Sequence, residues 1–502
     1  MQAVEKILLI YPPSTHIIGQ PRDCAPPLGI AYLGAVLKKD HKVKLLDATA
    51  EGHQNLEDLG NGMLKYGLTY QRIEDRIADY SPDLIGLTCL YSSQMPFVRK
   101  ICQLAKKLNT NTITIVGGTH PAFLPHEVLR EESIDFITIS EGEATLPSLL
   151  ERLERGQDYA DLDGIAFRRN GQVYVNPRTT YIEDLDELPF PAWELLPMEE
   201  YSKINIPMGG ISKSRYWAPI ITSRGCTAKC IFCSSANFWG NRYRTRSVEN
   251  VLSEIELLIS KYKIKEIQFC DDNLILDKER AKDIFHGIID RGLKIFWNTP
   301  NGITLWRLDE ELLELMKASG CYELDLAIES GDQEVLSKII KKPLNLAQVE
   351  SLTKSIHKLK IRTHSFFIVG FPGETKEQIR RTFSFARKLR LTSAGFYIAN
   401  PLPGSKLYEI CKERGYLKEE FDFETINFNK SNYETPEFTS RELENIRDKE
   451  YFIFNLGLLF RNPIFFVQRY LLFVITNPLT SLEVIKYGII AILKTLLNRR
   501  KT

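Results

Sequence analysis

Three cysteines lie close together in the stretch SRGCTAKCIFCSS, residues 223–235, with the spacing C-x3-C-x2-C. Thiolates are ligands for soft metals, and a structural zinc site usually takes four of them in two separated pairs. Three thiolates suit a [4Fe–4S] cluster with one iron left open to a ligand that is not protein. Cys226, Cys230 and Cys233 are therefore the predicted metal ligands, with a zinc site as the alternative.

The other six cysteines stand singly, mostly within apolar runs, and we expect them to be buried thiols: Cys24, Cys89, Cys102, Cys270, Cys321 and Cys411. The total of nine cysteines is odd and lacks the spacing of a disulfide scaffold. The first residues, MQAVEKILLIYPP, lack the pattern of a signal peptide. We therefore expect a cytoplasmic chain, where clustered cysteines more often bind metal than form disulfides.

The charge balance narrows the range of partners. Lys and Arg number 65 against 64 Asp and Glu, a net charge of +1, which argues against a protein that coats nucleic acid. We expect no nucleic-acid partner. The length of 502 residues predicts two or three domains.

Residues 1–150 predict a doubly wound (Rossmann-like) α/β domain, because short apolar runs alternate with segments of helical periodicity. Five runs have the composition of buried parallel strands: KILLIY (6–11), KVKLLDA (42–48), LIGLTCL (84–90), TITIVGG (112–118) and FITISEG (136–142). A ligand of such a domain lies at the carboxyl ends of the strands. Residues 151–215 are a predicted connector with a hairpin around Asn170-Gly171.

Residues 216–430 predict a partial (β/α)6 barrel with its active site at the carboxyl ends of the strands. Six strands are predicted, in PIITSRG, EIQFCDD, IFWNTPN, ELDLAIESG, HSFFIVGFPG and FYIANPLPG. The clustered cysteines follow the first of them. Residues 431–502 form a predicted helical C-terminal region.

The loop from Cys226 to Cys233, with Phe232 before the third cysteine, resembles the signature loop of the radical S-adenosylmethionine (radical SAM) family. That family places the loop after its first barrel strand. The resemblance implies that the amino and carboxylate groups of SAM fill the open iron position. It also implies cleavage of SAM to a 5′-deoxyadenosyl radical by one electron, from a donor such as flavodoxin or ferredoxin. Thr227 departs from the family, which often has Pro there.

Other motifs in residues 216–418 are similar to the SAM contacts of that family. Asp271 and Asp272, in FCDDN, occupy the place that holds the SAM amino group, and a carboxylate pairs well with an ammonium. A helix N-cap for the segment after Leu276 is the alternative. Glu329 and Ser330, in AIESG, resemble the contacts to the ribose hydroxyls.

Two later strand ends extend this resemblance. Gly370 lies in IVGFPGET (368–375), which is similar to the motif beside the adenine, where glycine permits close backbone approach. The stretch NPLPGSKLY (400–408) resembles the end of the sixth strand.

Residues 1–150 resemble the cobalamin (B12)-binding domain that precedes many radical SAM domains. The matching stretches are PPLGIAYLGAVLKK, TCLYSS, GGTHP and SEGEATLPSLL. The resemblance implies a slot for the dimethylbenzimidazole tail, lined by Thr88 and Leu90 and opened by Gly117 and Gly118. The G-x-G-x-x-G fingerprint of dinucleotide sites is missing after the first strand. A doubly wound fold alone would leave other nucleotides open.

His16 is the one candidate for a protein ligand to cobalt. Cobalamin proteins with such a ligand carry D-x-H-x-x-G, and this chain has Ser14 in place of the Asp. Because a ligating histidine normally has an acceptor that orients it, we predict that His16 lies in a surface loop and does not bind cobalt.

The resemblance implies a cobalamin-dependent radical SAM enzyme, and we expect a C-methyltransferase that acts on an unactivated carbon of a lipid-like or secondary-metabolite substrate. Cobalamin would deliver the methyl group and take it from a second SAM. An oxidative cyclase or rearrangement enzyme of tetrapyrrole type is the alternative enzyme. A non-catalytic cobalamin sensor is the alternative from another class. A methylthiotransferase is rejected, because it would need a second cysteine triad in the N-terminal domain, where Cys24, Cys89 and Cys102 lie on different elements.

The last residues, 451–502, are dense in Phe, Leu and Ile, but Arg461, Gln468 and Arg469 interrupt the first apolar run. They therefore lack the ~20 apolar residues of a spanning helix. We expect amphipathic helices that dock on a membrane interface through a basic end at 498–501. Helices that cap the barrel are the alternative.

Overall fold

The computed structural model describes residues 4–18, 21–60, 62–209, 212–461 and 463. Its first unit is a seven-stranded sheet with strand order β10-β9-β8-β7-β6-β1-β3. The strands of this unit, including those of a smaller sheet, are β1 (Lys6–Tyr11), β2 (Ser14–Ile17), β3 (Lys42–Asp47), β4 (Leu56–Gly60), β5 (Met63–Tyr66), β6 (Leu84–Thr88), β7 (Ile113–Gly117), β8 (Phe136–Thr138), β9 (Ile165–Arg169) and β10 (Gln172–Asn176).

The five strands predicted in residues 1–150 are confirmed as β1, β3, β6, β7 and β8, and they run parallel. The central residues of β1, β6 and β7 are buried and mostly apolar, as expected of strands covered on both faces, whereas β3 at the edge of the sheet is partly exposed. The order of the strands reverses between β1 and β6, and in doubly wound sheets the ligand crevice opens at this point. Thr88 ends β6 and thus borders the crevice.

The sheet continues beyond residue 150. The predicted hairpin around Asn170-Gly171 is confirmed as β9 and β10, and both residues have positive φ. It joins the sheet through antiparallel pairing of β8 with β9. This part of the proposed connector therefore belongs structurally to the first domain.

Helices cover both faces of the sheet and link it to the barrel. They are α1 (Leu28–Leu37), α2 (Ala48–Glu51), α3 (Tyr70–Tyr80), α4 (Met95–Leu108), α5 (Thr119–Phe123), α6 (Pro125–Val128), α7 (Gly142–Arg155) and, in the connector, α8 (Met198–Ile204). A three-stranded antiparallel sheet, in the order β2-β5-β4, was not predicted. Its strands are too short, and too polar in β4, to show a clear period of two.

The second unit is an open barrel of six parallel strands. They are β11 (Trp217–Ile220), β14 (Glu266–Phe269), β15 (Phe296–Asn298), β16 (Glu323–Glu329), β17 (Arg362–Val369) and β18 (Gly395–Ile398), and each matches a predicted strand. Isolated bridges from Trp297 to Cys321 and from Ile303 to Leu326 join the two halves. A short ribbon, β12 (Ser223–Arg224) with β13 (Arg244–Thr245), follows the first strand.

Helices enclose this barrel: α9 (Ser235–Trp239), α10 (Val248–Tyr262), α11 (Lys278–Asp290), α12 (Glu310–Ala318), α13 (Leu346–Lys358), α14 (Lys376–Lys388), α15 (Lys406–Glu413) and α16 (Ser440–Arg461). A π-helical turn spans Val335–Ile340. The strands and helices share one large core, in which Phe285 stacks on Trp297 with ring centroids 4.9 Å apart. The carboxyl ends of the six strands are thereby held at one mouth.

Candidate active site at the barrel mouth

The cysteine loop begins at a turn that only glycine fits. Gly225 has φ +91°, and a Cβ there would lie 1.9 Å from the carbonyl oxygen of Arg242. The loop is then clamped in the middle, because the Ile231 N–H donates to the Ile340 carbonyl (3.1 Å) and its own carbonyl accepts from the Leu407 N–H (2.8 Å). The three cysteines are thus fixed at the mouth of the barrel.

Two of the three sulfurs accept hydrogen bonds that stabilise a thiolate. The Ala228 N–H lies 3.5 Å from Cys226 Sγ, and the Ser235 N–H lies 3.4 Å from Cys233 Sγ. The Asn273 amide adds a contact of 3.8 Å to Cys226 Sγ, and Thr304 orients that amide with a 2.6 Å bond. Asn273 was not predicted, although its place in FCDDN was the available signal.

Two of the thiols have raised pKa values. Desolvation by neighbouring groups raises the pKa of Cys233 to about 12 and that of Cys230 to about 11. Iron must displace these protons, which is the usual cost of metal binding by cysteine.

A buried ion pair lies beside the thiols. Lys342 Nζ is 2.9 Å from Glu329 Oε1, and both side chains are less than a tenth exposed. Glu329 has φ +66° and follows a register shift in β16, so a local distortion aims its side chain. Burial raises the pKa of Cys230, whereas the charge of Lys342 opposes that rise. No sequence pattern indicated Lys342, because the π-helical turn before it sets its position.

The two predicted aspartates face different ways. Asp272 is exposed and accepts a 2.7 Å hydrogen bond from the hydroxyl of Ser235, next to the cysteine loop. Asp271 is buried, and its Oδ1 accepts from Thr222 N (3.1 Å), Thr222 Oγ1 (2.8 Å) and Ser223 Oγ. Its Oδ2 has no hydrogen-bond partner among the described residues. The alternative role as a helix N-cap belongs to Asp277, which caps α11.

Ser330 and Gly370 are already engaged by the protein. The Ser330 hydroxyl lies 3.1 Å from Thr382 Oγ1 and accepts from the Asp332 N–H, and the residue is fully buried. A Cβ on Gly370 would lie 2.3 Å from the Leu443 side chain, and φ is +89°. The packing of α16 thus explains this glycine, and the predicted contacts to SAM remain predictions for both residues.

The predicted tail slot lies at the carboxyl end of the first sheet. A Cβ on Gly118 would lie 2.5 Å from the Cys89 carbonyl, and one on Gly117 2.6 Å from Thr138 Oγ1. The protein's own packing therefore requires both glycines, whatever the ligand. Leu90 and Tyr91 are 44% and 60% exposed there, an unusual amount of apolar surface that a large cofactor would cover.

His16 lies in β2 and not in a surface loop, which corrects that part of the prediction. The strand pairs it with Leu64, and its ring meets Tyr66 edge-on at 5.7 Å. The Ser14 hydroxyl lies 3.0 Å from Thr49 Oγ1 and accepts from the Gln94 amide at 3.3 Å. The Ser14 hydroxyl is thus engaged by Thr49 and Gln94.

The tail slot and the cysteine loop share a wall. Helix α5 starts directly after Gly118, and α9 starts two residues after Cys233. Phe123 of α5 meets Phe238 of α9 with ring centroids 6.3 Å apart. The carboxyl ends of the sheet and of the barrel therefore face a common space.

The donor set does not form a mononuclear metal site. Among the described residues, no group of three His, Cys, Asp or Glu side chains is placed to hold one metal ion. In a [4Fe–4S] cluster each thiolate binds a different iron, so the sulfurs stand further apart than around one ion.

Comparison with known proteins agrees with both domains. The family model of the B12 binding domain matches residues 15–150, and that of the radical SAM superfamily matches residues 220–386. The chain is 35% identical over 446 residues to the cytidylyl-2-hydroxyethylphosphonate methyltransferase of Streptomyces wedmorensis, with 83% of each chain covered.

A second relative and a solved structure complete the comparison. The anaerobic magnesium-protoporphyrin IX monomethyl ester cyclase of Rubrivivax gelatinosus is 30% identical over 411 residues, 80% of this chain and 69% of the relative. The radical S-adenosylmethionine methyltransferase TsrM from Kitasatospora setae has the same fold, with a TM-score of 0.66, 19% identity, and 83% and 79% of the two chains covered. The chain therefore belongs to the cobalamin-dependent radical SAM methyltransferase family.

Proposed function

We propose that this enzyme methylates an unactivated carbon of a small molecule, with both cofactors bound at the shared space between sheet and barrel. The observation that carries the proposal is the contact of Phe123 with Phe238, because it brings the cobalamin slot and the cysteine loop side by side. A methyl group carried by one cofactor can reach a carbon activated by the other only at such a junction.

The residues of the chain have distinct parts in this proposal. Cys226, Cys230 and Cys233 hold the cluster, Asp272 accepts the amino group of SAM, and Thr88 and Leu90 line the cobalamin slot. Bound SAM would supply the radical that abstracts hydrogen, and bound cobalamin would supply the methyl group. The protein's contribution is to bind, to orient and to keep water out.

The half-buried face of β17 and β18 is the proposed substrate site. Side chains that alternate along β17 and β18 are half-buried while their neighbours are fully buried, and they include His364, Phe366 and Tyr397. Their rings line one wall, with centroids 5.1 Å apart for His364 and Phe366 and 6.4 Å for Phe366 and Tyr397. Two half-buried aromatic rings and an imidazole form a surface suited to a flat or compact molecule.

Acidic groups near these rings favour a substrate with hydrogen-bond donors. Asp325 lies on β16, opposite His364 in the strand register. Asp23, from the loop before α1, lies within electrostatic range of Tyr397, and desolvation raises its pKa to about 7. A polar small molecule, like the nucleotide-linked substrate named for the Streptomyces wedmorensis relative, fits these groups better than a pure hydrocarbon.

Ring formation is the second candidate function. The cyclase of Rubrivivax gelatinosus shares the two-domain organisation at 30% identity, so the fold supports either outcome. The higher identity and fuller coverage of the methyltransferase relative favour methylation.

The test combines iron content with product analysis. Anaerobically reconstituted protein should hold about four iron atoms and cleave SAM after reduction. The triple change of Cys226, Cys230 and Cys233 to Ala should abolish both, whereas Cys411→Ala, at a buried single thiol, should retain both. With trideuteromethyl-SAM, a product that carries the labelled methyl group supports methylation. An unlabelled product that has lost hydrogen would establish cyclisation instead.

A further inference from the structure

Four buried charged side chains join the two domains. Glu141 and Glu143 lie at the start of α7 in the first domain, and Arg224 and Arg244 belong to the β12–β13 ribbon of the barrel unit. We call these four residues the interdomain latch. None had a role in the sequence analysis beyond the resemblance of the SEGEATLPSLL stretch.

Glu141 is the centre of the latch. Its Oε1 accepts from Arg224 Nη1 and from Arg244 Nη1, both at 2.8 Å, and its Oε2 accepts from the Ile182 N–H at 2.9 Å. Glu143 binds the other end of the Arg224 guanidinium at 2.6 Å. The four side chains are at most 8% exposed.

The two carboxylates and two guanidinium groups of the latch balance in charge. Burial opposes the charge of Glu141, but Arg224 and Arg244 outweigh it and lower the pKa of that carboxyl. A displacement of one partner would leave a buried charge uncompensated, which costs far more free energy than a shift of an apolar contact. The latch therefore fixes the position of the barrel unit relative to the first domain.

Each side of the latch leads directly to a cofactor site. On the barrel side, only Gly225 separates Arg224 from Cys226, and its conformation is fixed. On the other side, Glu141 follows β8, whose Thr138 packs against Gly117. Ser140 adds a bond of 2.6 Å from its hydroxyl to the Phe238 carbonyl.

We propose that the interdomain latch is a positioning device that sets the distance between cobalamin and the iron–sulfur cluster. A misplacement of about 1 Å between reacting groups can cost on the order of 100-fold in rate, so this distance has to be held. The inference rests on the proposed binding of both cofactors and is independent of the substrate.

The test uses Glu141→Gln in the full-length protein, with Glu323→Gln as the matched control. Glu323 forms an ion pair with Arg362 at 2.8 Å between the neighbouring barrel strands β16 and β17, and its side chain is 16% exposed. Pulsed electron paramagnetic resonance measures the distance between the reduced cluster and cob(II)alamin. Hydrogen exchange of the cofactor-free protein measures the order of residues 140–146 and 226–235. SAM cleavage without substrate reports whether the barrel site is intact.

We expect Glu141→Gln to retain both cofactors and SAM cleavage within about twofold, to broaden the distance distribution, and to raise exchange about tenfold in both segments. The control should leave the distance unchanged. An unchanged distance in Glu141→Gln, the same broadening in the control, or loss of SAM cleavage together with the cluster would each overturn the inference. If Glu141→Gln does not fold, Glu143→Gln is measured with the same criteria. If the wild-type protein shows no dipolar coupling between the cluster and cob(II)alamin, the proposed binding of both cofactors is wrong. The hydrogen-exchange comparison then decides on the latch.

Discussion

At the scale of single residues, the adjacent Asp271 and Asp272 have different roles. Asp272 is exposed beside the cysteine loop, whereas Asp271 accepts hydrogen bonds from Thr222 and Ser223. Asp272→Asn should weaken SAM binding about 10- to 100-fold, because hydrogen bonds to charged groups contribute roughly 1.5–3 kcal/mol. Equilibrium binding of SAM to the reconstituted protein measures this.

Asp271→Ala provides the comparison. It leaves buried donors on Thr222 and Ser223 without their acceptor and should lower the unfolding free energy by about 1–3 kcal/mol. Asp272→Asn should leave the thermal midpoint unchanged. Equal SAM affinity in Asp272→Asn and wild type would show that the amino group binds elsewhere.

Glu374 makes the stability of the fold depend on pH. Its Oε2 accepts from Gly370 N (2.6 Å) and Phe371 N (3.0 Å), and Oε1 has no hydrogen-bond partner within the described residues. Burial raises its pKa to about 8 from 4.5. The folded protein therefore keeps a proton that the unfolded chain has released, and stability is lost as the pH rises between these two values.

Glu374→Gln should remove this loss, because the amide is neutral and can keep both backbone bonds. Relative to wild type, the variant should gain up to about 4 kcal/mol of stability between about pH 5 and about pH 8. Chemical unfolding of the cofactor-free protein at both pH values measures the difference. Parallel pH profiles of the two proteins would mean that Glu374 is ionised in the fold.

At the scale of elements, β2 places His16 edge-on against Tyr66, and Ser14 stands where histidines that ligate cobalt have an orienting Asp. His16→Ala should therefore leave cobalamin affinity and the absorption spectrum of cobalt nearly unchanged. Leu90→Asp, which puts a charge into the proposed slot, should weaken cobalamin binding about 10-fold or more. A shift of the cobalt bands in His16→Ala would identify the histidine as a ligand.

Apolar strands were predictable from the sequence, whereas features made by distant contacts were not. β1, β6 and β17 have continuous or alternating apolar residues, which fixes their type. The bulge at Glu329, the π-helical turn before Lys342 and the pairing of β2 with β5 arise from tertiary packing. The cysteines were found because their ligand spacing is local. Lys342 was not found because the π-helical turn sets its position, and the latch was not found because its ion-paired residues lie 81 to 103 residues apart.

At the scale of the whole molecule, the C-terminal region is in part barrel structure. In α16, Leu443, Phe454 and Leu458 are buried, and Phe454 meets Phe396 with ring centroids 5.3 Å apart. This matches the capping alternative for residues 440–461. On the same helix Phe452 and Phe460 are 68% and 77% exposed. The predicted interfacial helices beyond residue 463 lie outside the described residues.

Flotation with anionic liposomes tests the membrane prediction. None of the helices in the described ranges is long and apolar enough to cross a bilayer. We expect the full chain to float, and a truncation after residue 463, which keeps α16 whole, to float less. A truncation after residue 445 removes Phe454 and Leu458 from the core and should instead aggregate. Equal, poor flotation of the full chain and the 463 truncation would dismiss the lipid-like substrate.

The pairing of β9 with β8 decides how far the B12-binding part can be treated as a transferable module. A fragment cut at residue 150 would lose the hairpin and expose the backbone N–H and C=O groups of β8, whose Phe136 pairs with Phe167. An open strand of this kind invites pairing between molecules. Recombination of this family by exchange of whole domains should therefore succeed only when the crossover falls after residue 176, where the hairpin ends.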